Sequence, residues 1–303
     1  MTFGIDLRDL TYFEKIAELE HVGAAAEKLH RTQPALTASI RRLEVACGAQ
    51  LFERNGRGIR LTSEGVVLLS WARRIRLDVQ DAQREMKELG GGVAGHVRLG
   101  VVPTAAQFLL PQALQKLMHE VPGVTVKASV GLGKELRERV QAGELDLAIV
   151  SGHRTESAFE VVPLLEDQIV VVAARTHPLV KMGRKVKLDE LNAYEWVLQP
   201  PDSPTREWLD HTFDRARLPR PRVRMESDML MMLPALLHQT DVLGFVSRLH
   251  FSRLDRNTIL REIPLPQLTM RRQLIAIWRK SSHFPAAGKL LVKYLKQANL
   301  ATR

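Results

Sequence analysis

Residues 24–62, AAAEKLHRTQPALTASIRRLEVACGAQLFERNGRGIRLT, constrain this chain more than any other stretch. They read as a helix, a sharp turn, a second helix and a basic hairpin, the layout of a winged helix-turn-helix that sets one helix in the major groove of DNA. The second helix begins at Thr32, a good N-cap, with Pro34 in the first turn, where a missing N–H costs little. Leu36, Ile40, Leu43 and Cys47, spaced four, three and four apart, form the expected buried face. The opposite face carries Gln33, Thr37, Arg41 and Arg42, and Ala24, Ala25 and Ala26 are small enough to let two helices cross closely. In the wing, Gly56 and Gly58 supply turn freedom between Arg54, Arg57 and Arg60. From residue 28 to 60 seven Lys and Arg stand against Glu44 and Glu53, a local net charge of +5. The chemistry implied is division of labour between short polar side chains that read base edges and cations that hold phosphates. Arg31, Thr32, Gln33, Pro34, Thr37 and Arg41 are expected at the groove, with Gln33 and Thr37 as base readers. Arg42, Arg54, Arg57 and Arg60 are expected on phosphates.

After the wing, Thr62 is placed to cap a long helix running to about Leu89. Leu68, Ala72, Ile75, Val79, Ala82, Met86 and Leu89 alternate spacings of four and three, an a/d seam over three heptads. That seam predicts pairing with the same helix of a second chain, hence two reading helices at fixed separation and a site with two half-sites. Gly90, Gly91 and Gly92, with Gly95 just beyond, read as a hinge over 90–95.

Beyond the hinge, strand and helix patterns alternate. Strands are expected at 96–102, 124–130 and 145–150, then near 168–174, 196–198, 222–226 and 242–246, with a return through 272–280. Helices are expected at 107–121, 134–143, 205–218, 228–239 and 285–298. Such βαβ alternation predicts a mostly parallel sheet with helices on both faces, folded as two lobes around a cleft. In open α/β sheets ligands sit beyond the carboxyl ends of strands, near helix N-termini. Pro103 and Thr104, Gly133, Ser203 and Pro204 with Arg206 beyond them, and Ser247 occupy such places and are the candidate ligand residues. The fold class is thus α/β: a winged helix-turn-helix at 1–62, a linker helix at 63–89, and a two-lobed domain at 96–303.

The segments AAAEKLHRTQPALTASIRRLE and LFERNGRGIRLTSEG resemble those of LysR-type transcriptional regulators, and length, linker and C-terminal pattern fit the same family. The C-terminal pattern is also similar to that of periplasmic solute-binding proteins. The resemblance implies a homo-oligomer, usually a dimer of dimers, that binds an interrupted palindrome in double-stranded DNA and answers to a small-molecule co-inducer, with RNA polymerase as a further partner. It also implies that positions resembling Thr104, Gly133 and Ser203 line the effector cleft. Many relatives carry Ser or Thr where this chain has Gly133, so a side-chain donor is missing there.

The net charge of +10 is unevenly spread. Residues 1–89 hold 14 Lys and Arg against 13 Asp and Glu, so most of the excess lies in the second part. That excess suits an anionic ligand, contact with the DNA backbone, or a solubilising surface. A lone cysteine excludes an internal disulfide and suits a reducing compartment. Apolar runs such as 169–174 are too short to span a bilayer, and the N-terminus lacks the pattern of a signal peptide, so no membrane partner and a cytoplasmic location are expected. GxSxG, HExxH, CxxC and Walker A patterns are absent and the ten histidines are scattered, so no catalytic residue, metal site or cofactor is read. Trp71, Trp196, Trp208 and Trp278 read as core or interface residues. The reading is a ligand-responsive DNA-binding regulator. Two alternatives stand beside it: a ligand-independent architectural or repressing DNA binder whose lobes serve oligomerisation, and a solute-binding or catalytic role for the lobes.

Overall fold

The structure, a computed structural model, describes residues 4–56, 58–89, 95–229, 232–252, 259–280 and 284–300. The chain divides into two compact units, the first built on residues 1–92 and the second on residues 93–140, 145–280 and 284–303.

The first unit holds α1 (Leu7–Leu19), α2 (Val22–Lys28), α3 (Gln33–Cys47), a two-stranded hairpin of β1 (Phe52–Asn55) and β2 (Gly58–Leu61), and α4 (Ser63–Leu89). Local chemistry sets each boundary. Asp6, His21 and Thr32 cap α1, α2 and α3 by accepting a backbone N–H through the side chain. Gly48, in the left-handed region at φ 66°, closes α3. Thr62 Oγ1 accepts from the Gly65 N–H at 3.0 Å and starts α4, as its residue type predicted. Gly65 is required there, because a Cβ would stand 2.2 Å from the Leu51 carbonyl oxygen. Phe13, Leu43, Leu51 and Ala72 form one part of the core, and Ile16, Ala25, Ala26 and Leu36 the other. The small pair Ala25 and Ala26 is buried at the helix crossing, as expected.

One expectation for α3 is corrected. Cys47 is exposed, and the buried polar residue of this helix is Ser39. The last turn, Val45–Cys47, is exposed all round, so the four-residue spacing from Leu43 places Cys47 on the right face but beyond the atoms that could cover it.

The second unit is one nine-stranded sheet with helices on both faces. Its strands and helices run β3 (His96–Val101), α5 (Pro103–Phe108), α6 (Leu110–Glu120), β4 (Thr125–Val130), α7 (Gly133–Gln141), β5 (Leu147–Gly152), β6 (Phe159–Ala174), α8 (Pro178–Lys181), β7 (Glu195–Leu198), α9 (Pro204–Arg215), β8 (Arg222–Glu226), α10 (Leu233–His238), β9 (Leu243–Ser247), α11 (Leu249–Ser252), β10 (Leu260–Glu262), β11 (Met270–Arg279) and α12 (Ala286–Leu300). The order across the sheet is β4-β3-β5-β11-β6-β9-β7-β8, with β10 also on β6. Parallel trios stand at the two ends, β4-β3-β5 and β9-β7-β8. Between them β11 runs antiparallel to β5 of the first trio, β6 runs antiparallel to β9 of the second, and β6 and β11 run antiparallel to each other. Each trio with its helices makes a lobe, and β6 and β11 cross from one lobe to the other.

The apolar stretches of β5, β6 and β9 are buried on both faces, as continuous hydrophobic runs in such sheets are. The first lobe packs Leu99, Leu136, Ile149, Ile275 and Leu295 into one core, and the second packs Trp196, Leu209, Phe213 and Leu268 on one face of its sheet. Trp196 and Trp278 fit the core expectation, with Trp278 stacked on Phe284 at 4.5 Å between centroids. Two strands escape the pattern reading. β10 is only three residues long, and the first half of β6 carries Glu160 and Pro163 among its apolar residues.

Candidate nucleic-acid interface and ligand cavity

In the first unit, α3 is held by Leu36 and Leu43, both fully buried, with Ile40 half-buried between them. This leaves Gln33, Pro34, Thr37 and Arg41 exposed on one side, with Arg31 and Thr32 exposed in the preceding turn. Thr37 Oγ1 donates to the Gln33 carbonyl at 3.0 Å, so its hydroxyl is oriented and keeps acceptor capacity outward. In the hairpin Arg54 is exposed, while Arg60 Nε donates to Glu53 Oε1 at 2.7 Å across the strands. Arg57 lies outside the described residues.

Arg42, expected among the phosphate contacts, is found on Asp9 of α1. Its Nε donates to Oδ2 at 2.9 Å and its Nη2 to Oδ1 at 2.7 Å, while Ser39 Oγ donates to the same Oδ1 at 2.7 Å. The Arg42 guanidinium thereby holds the Asp9 carboxyl below the usual carboxylate range. Sequence reading missed Asp9, although an acid inside the otherwise apolar heptad face of α1 (Leu10, Phe13, Ile16) was the available signal.

The expected seam on α4 divides in two. Leu68, Ala72 and Ile75 pack against the unit's own core, whereas Val79, Ala82 and Met86 are exposed. Val66, Val67 and Trp71 are also more than half exposed and extend the uncovered apolar face toward the start of the helix. The hinge expected at 90–95 lies, except for Gly95, outside the described residues.

In the second unit a cavity of about 1330 Å³ opens over the crossing strands. Its walls come from the end of β5 (Ser151, Gly152), the loop bearing His153, Arg154 and Glu156, the middle of β6 (Pro163–Gln168) and the start of β11 (Met270–Gln273). Arg137 of α7, Pro204 and Leu249 complete it. Four arginines thus border it, and two are already engaged. Arg137 donates to both oxygens of Glu156, to the Ser151 carbonyl at 2.7 Å and to the Gly133 carbonyl at 3.1 Å. Arg272 donates from Nε to Asp167 Oδ2 at 2.8 Å and from Nη2 to Thr104 Oγ1 at 2.9 Å. Asp167 is 4 % exposed, and its Oδ1 accepts from Ser247 Oγ at 2.6 Å and from the Gln168 N–H at 2.8 Å.

The candidate ligand residues therefore separate by distance from the cavity. Pro204 lines it. Thr104 and Ser247 are buried one bond behind it, joined through Arg272 and Asp167. Gly133 touches it through Arg137. Pro103 opens α5, which places Thr104 inside the helix rather than at its cap. Ser203 is buried and caps α9 by accepting from the Arg206 N–H. Arg206, expected to face a ligand, is corrected: its Nε lies 3.0 Å from both oxygens of Asp210 and its Nη1 reaches the Gln199 carbonyl. The four-residue helical spacing to Asp210 captures the guanidinium along the helix. Asp167, Arg272, Arg137 and Glu156 were missed; the usable signal was a charged residue breaking the apolar run of a strand, as in LLEDQIVVV.

Two histidines are buried in this unit. His250 Nδ1 lies 3.1 Å from the Ser247 carbonyl, and its ring meets Phe108 edge-on at 4.8 Å. His177 Nδ1 accepts from the Leu179 N–H while Nε2 reaches the Asp241 carbonyl. Burial pushes both imidazoles below their ordinary value.

A winged helix-turn-helix followed by a two-lobed α/β unit with a cavity at the strand crossover defines a DNA-binding protein with a ligand domain. Residues 7–66 match the bacterial regulatory helix-turn-helix family of LysR type, and residues 90–299 match the LysR substrate binding domain. The HTH-type transcriptional regulator CbbR of Rhodospirillum rubrum is 30% identical over 301 residues, 96% of each chain. The solved structure of full-length CbnR with its target DNA superposes with a TM-score of 0.70 at 24% identity, over 97% of this chain and 100% of that one. The regulatory domain of Synechocystis PCC6803 CcmR, in complex with 2-PG, gives 0.60 at 23% identity over 67% of this chain and 97% of that one. The chain belongs to the LysR family of ligand-responsive, DNA-binding transcriptional regulators. Its family is one of regulators rather than enzymes, and no helix among the described residues is long and apolar enough to cross a membrane.

Proposed function

We propose that this regulator works in the cytoplasm as a homo-oligomer, a dimer of dimers, reading an interrupted palindrome with α3 and the wing and passing its output to RNA polymerase. Gln33 and Thr37 read base edges, with Arg31, Pro34 and Arg41 beside them, and Arg54, Arg57 and Arg60 contribute phosphate contacts. The exposed outer half of α4 is the pairing face, through Val79, Ala82 and Met86. A structural neighbour bound to its target DNA supports the DNA reading.

The co-inducer is a small organic anion, and the cavity bordered by Arg137, Arg154, Arg271 and Arg272 carries that reading. Arg154 and Arg271 are exposed at its rim. A ligand carboxylate matches a guanidinium in a planar two-bond pair. Calorimetric titration of the full-length protein with a panel of organic anions and their neutral amides tests this. The expected result is binding of an anion weakened at least tenfold in Arg271→Ala. Preference for the neutral partner overturns the proposal.

A further inference from the structure

We propose that Asp9 and Arg42 are positioning residues for DNA reading: the carboxylate of α1 fixes the rotation of α3 about its own axis, and Arg42 serves that lock rather than a phosphate. The proposal rests on α3 being the reading helix. Three observations carry it. First, both carboxylate oxygens of Asp9 are used from one helix, Oδ1 by Ser39 and by Arg42 Nη2, Oδ2 by Arg42 Nε. Second, Asp9 and Ser39 are 3 % and 0 % exposed, so their contact lies inside the packed interface, and Arg42, with a half-exposed side chain, closes over the carboxylate from its edge. Third, Ser39 and Arg42 lie between the apolar anchors Leu36 and Leu43 and to one side of them around the helix, so the bonds act on one edge of its buried stripe.

The physical need for such a lock follows from what holds α3 otherwise. Apolar contacts are non-directional and tolerate small rolls of a cylinder on its neighbours. A roll of about 20° moves side-chain tips some 5–6 Å from the axis by roughly 2 Å. Hydrogen bonds to base edges work within 2.7–3.2 Å and do not survive such a shift, while phosphate attraction falls off far more gently. A planar guanidinium on a buried carboxylate is directional, and it resists rotation where packing alone does not. Loss of the lock therefore costs discrimination between sequences before it costs attraction to DNA.

The test uses full-length protein with two duplexes: one selected by the protein from a random pool and one scrambled to the same composition. Affinity for each is measured over a salt series in wild type, Arg42→Lys, Arg42→Ala, Asp9→Asn and the exposed comparator Arg41→Ala. Lysine keeps the charge but cannot form the fork, so it separates the two roles, and as a mild change it leaves folding testable by thermal melting. The expected result is a specific-to-scrambled ratio at least tenfold lower in Arg42→Lys and Asp9→Asn, with an unchanged salt slope in Arg42→Ala. Two results overturn the proposal. One is an Arg42→Ala slope reduced by about 0.9 per half-site with the ratio kept, the signature of a phosphate contact. The other is a Asp9→Asn variant that binds both duplexes more tightly, as a freed cation would. Gln33→Ala separates the two possible failures. A ratio unmoved by Gln33→Ala removes the reading-helix assignment and the proposal with it. A ratio moved by Gln33→Ala but not by Arg42→Lys removes the proposal alone.

Discussion

Asp167 shows how much one side chain holds together in the α/β unit. Its two oxygens collect Ser247, the Gln168 N–H and Arg272, and Arg272 in turn holds Thr104. A buried charge left without its partner is far costlier than the pair is favourable. Asp167→Ala, which strands Arg272, is therefore expected to destabilise the unit by about 3–5 kcal/mol, read from urea unfolding. An effect under about 1 kcal/mol would mean that Arg272 finds water instead. The histidines give a pH dependence at the same scale. In His177 the Nδ1 lone pair already accepts from Leu179, so a proton there would face another donor. With both imidazoles held below their ordinary value, the unfolded chain takes up protons first as pH falls. Stability is then full above about pH 6.5 and declines below it, by up to about 1.4 kcal/mol per pH unit for each histidine. Urea midpoints from pH 7.5 to 5 should fall, and the decline should flatten in His177→Gln. A midpoint constant across that range would contradict the lowering of these imidazoles by burial.

At the scale of elements, α4 illustrates what periodicity tells and what it omits. The heptad spacing identified one face of a 27-residue helix. It did not say what covers that face, and the answer changes halfway along: Ile75 packs on its own core, whereas Met86 is 71 % exposed. Met86→Asp should consequently fold normally yet sediment toward the 34.2 kDa of a single chain. Ile75→Asp should also lower the melting temperature, because it buries a charge in the first unit. A Met86→Asp protein that sediments like wild type would place the pairing face elsewhere. β6 shows the complementary limit. Its apolar second half was plain in the sequence, but its first half was not, since a proline argues against a paired strand. The register shift against β11 between Leu274 and Ile275 resolves this: Leu165 pairs with Leu274 and Pro163 with Ile275, leaving Leu164 as the extra residue of a bulge. The helix-turn-helix was legible because caps, spacing and charge are local. The Asp9 and Asp167 networks were not, because each joins residues at least 30 positions apart and only the folded chain brings them together.

For the molecule as a whole, ligand response and DNA reading reside in different compact units. A co-inducer at one hundred times its Kd should add about 2.7 kcal/mol to the unit that binds it. Calorimetric melting should then show the transition reported by the buried Trp196 rising with ligand in wild type and much less in Arg271→Ala. A shift of equal size in both proteins would place the ligand away from the arginine-bordered cavity.

The crossing strands have one more consequence, and it concerns inheritance. β6 carries the chain out of the first lobe and β11 brings it back, so the second lobe is inserted within the first. No single cut separates them, because the two crossing strands are bonded to each other, with β11 held also by β5 of the first lobe and β6 by β9 of the second. Gene exchange can pass the DNA-reading unit from one such protein to another by breaking the chain between α4 and β3. The ligand-binding unit has no comparable seam and must be traded whole. What a descendant regulates and what it senses can thus change partners freely, but neither lobe of the sensor can be acquired by halves.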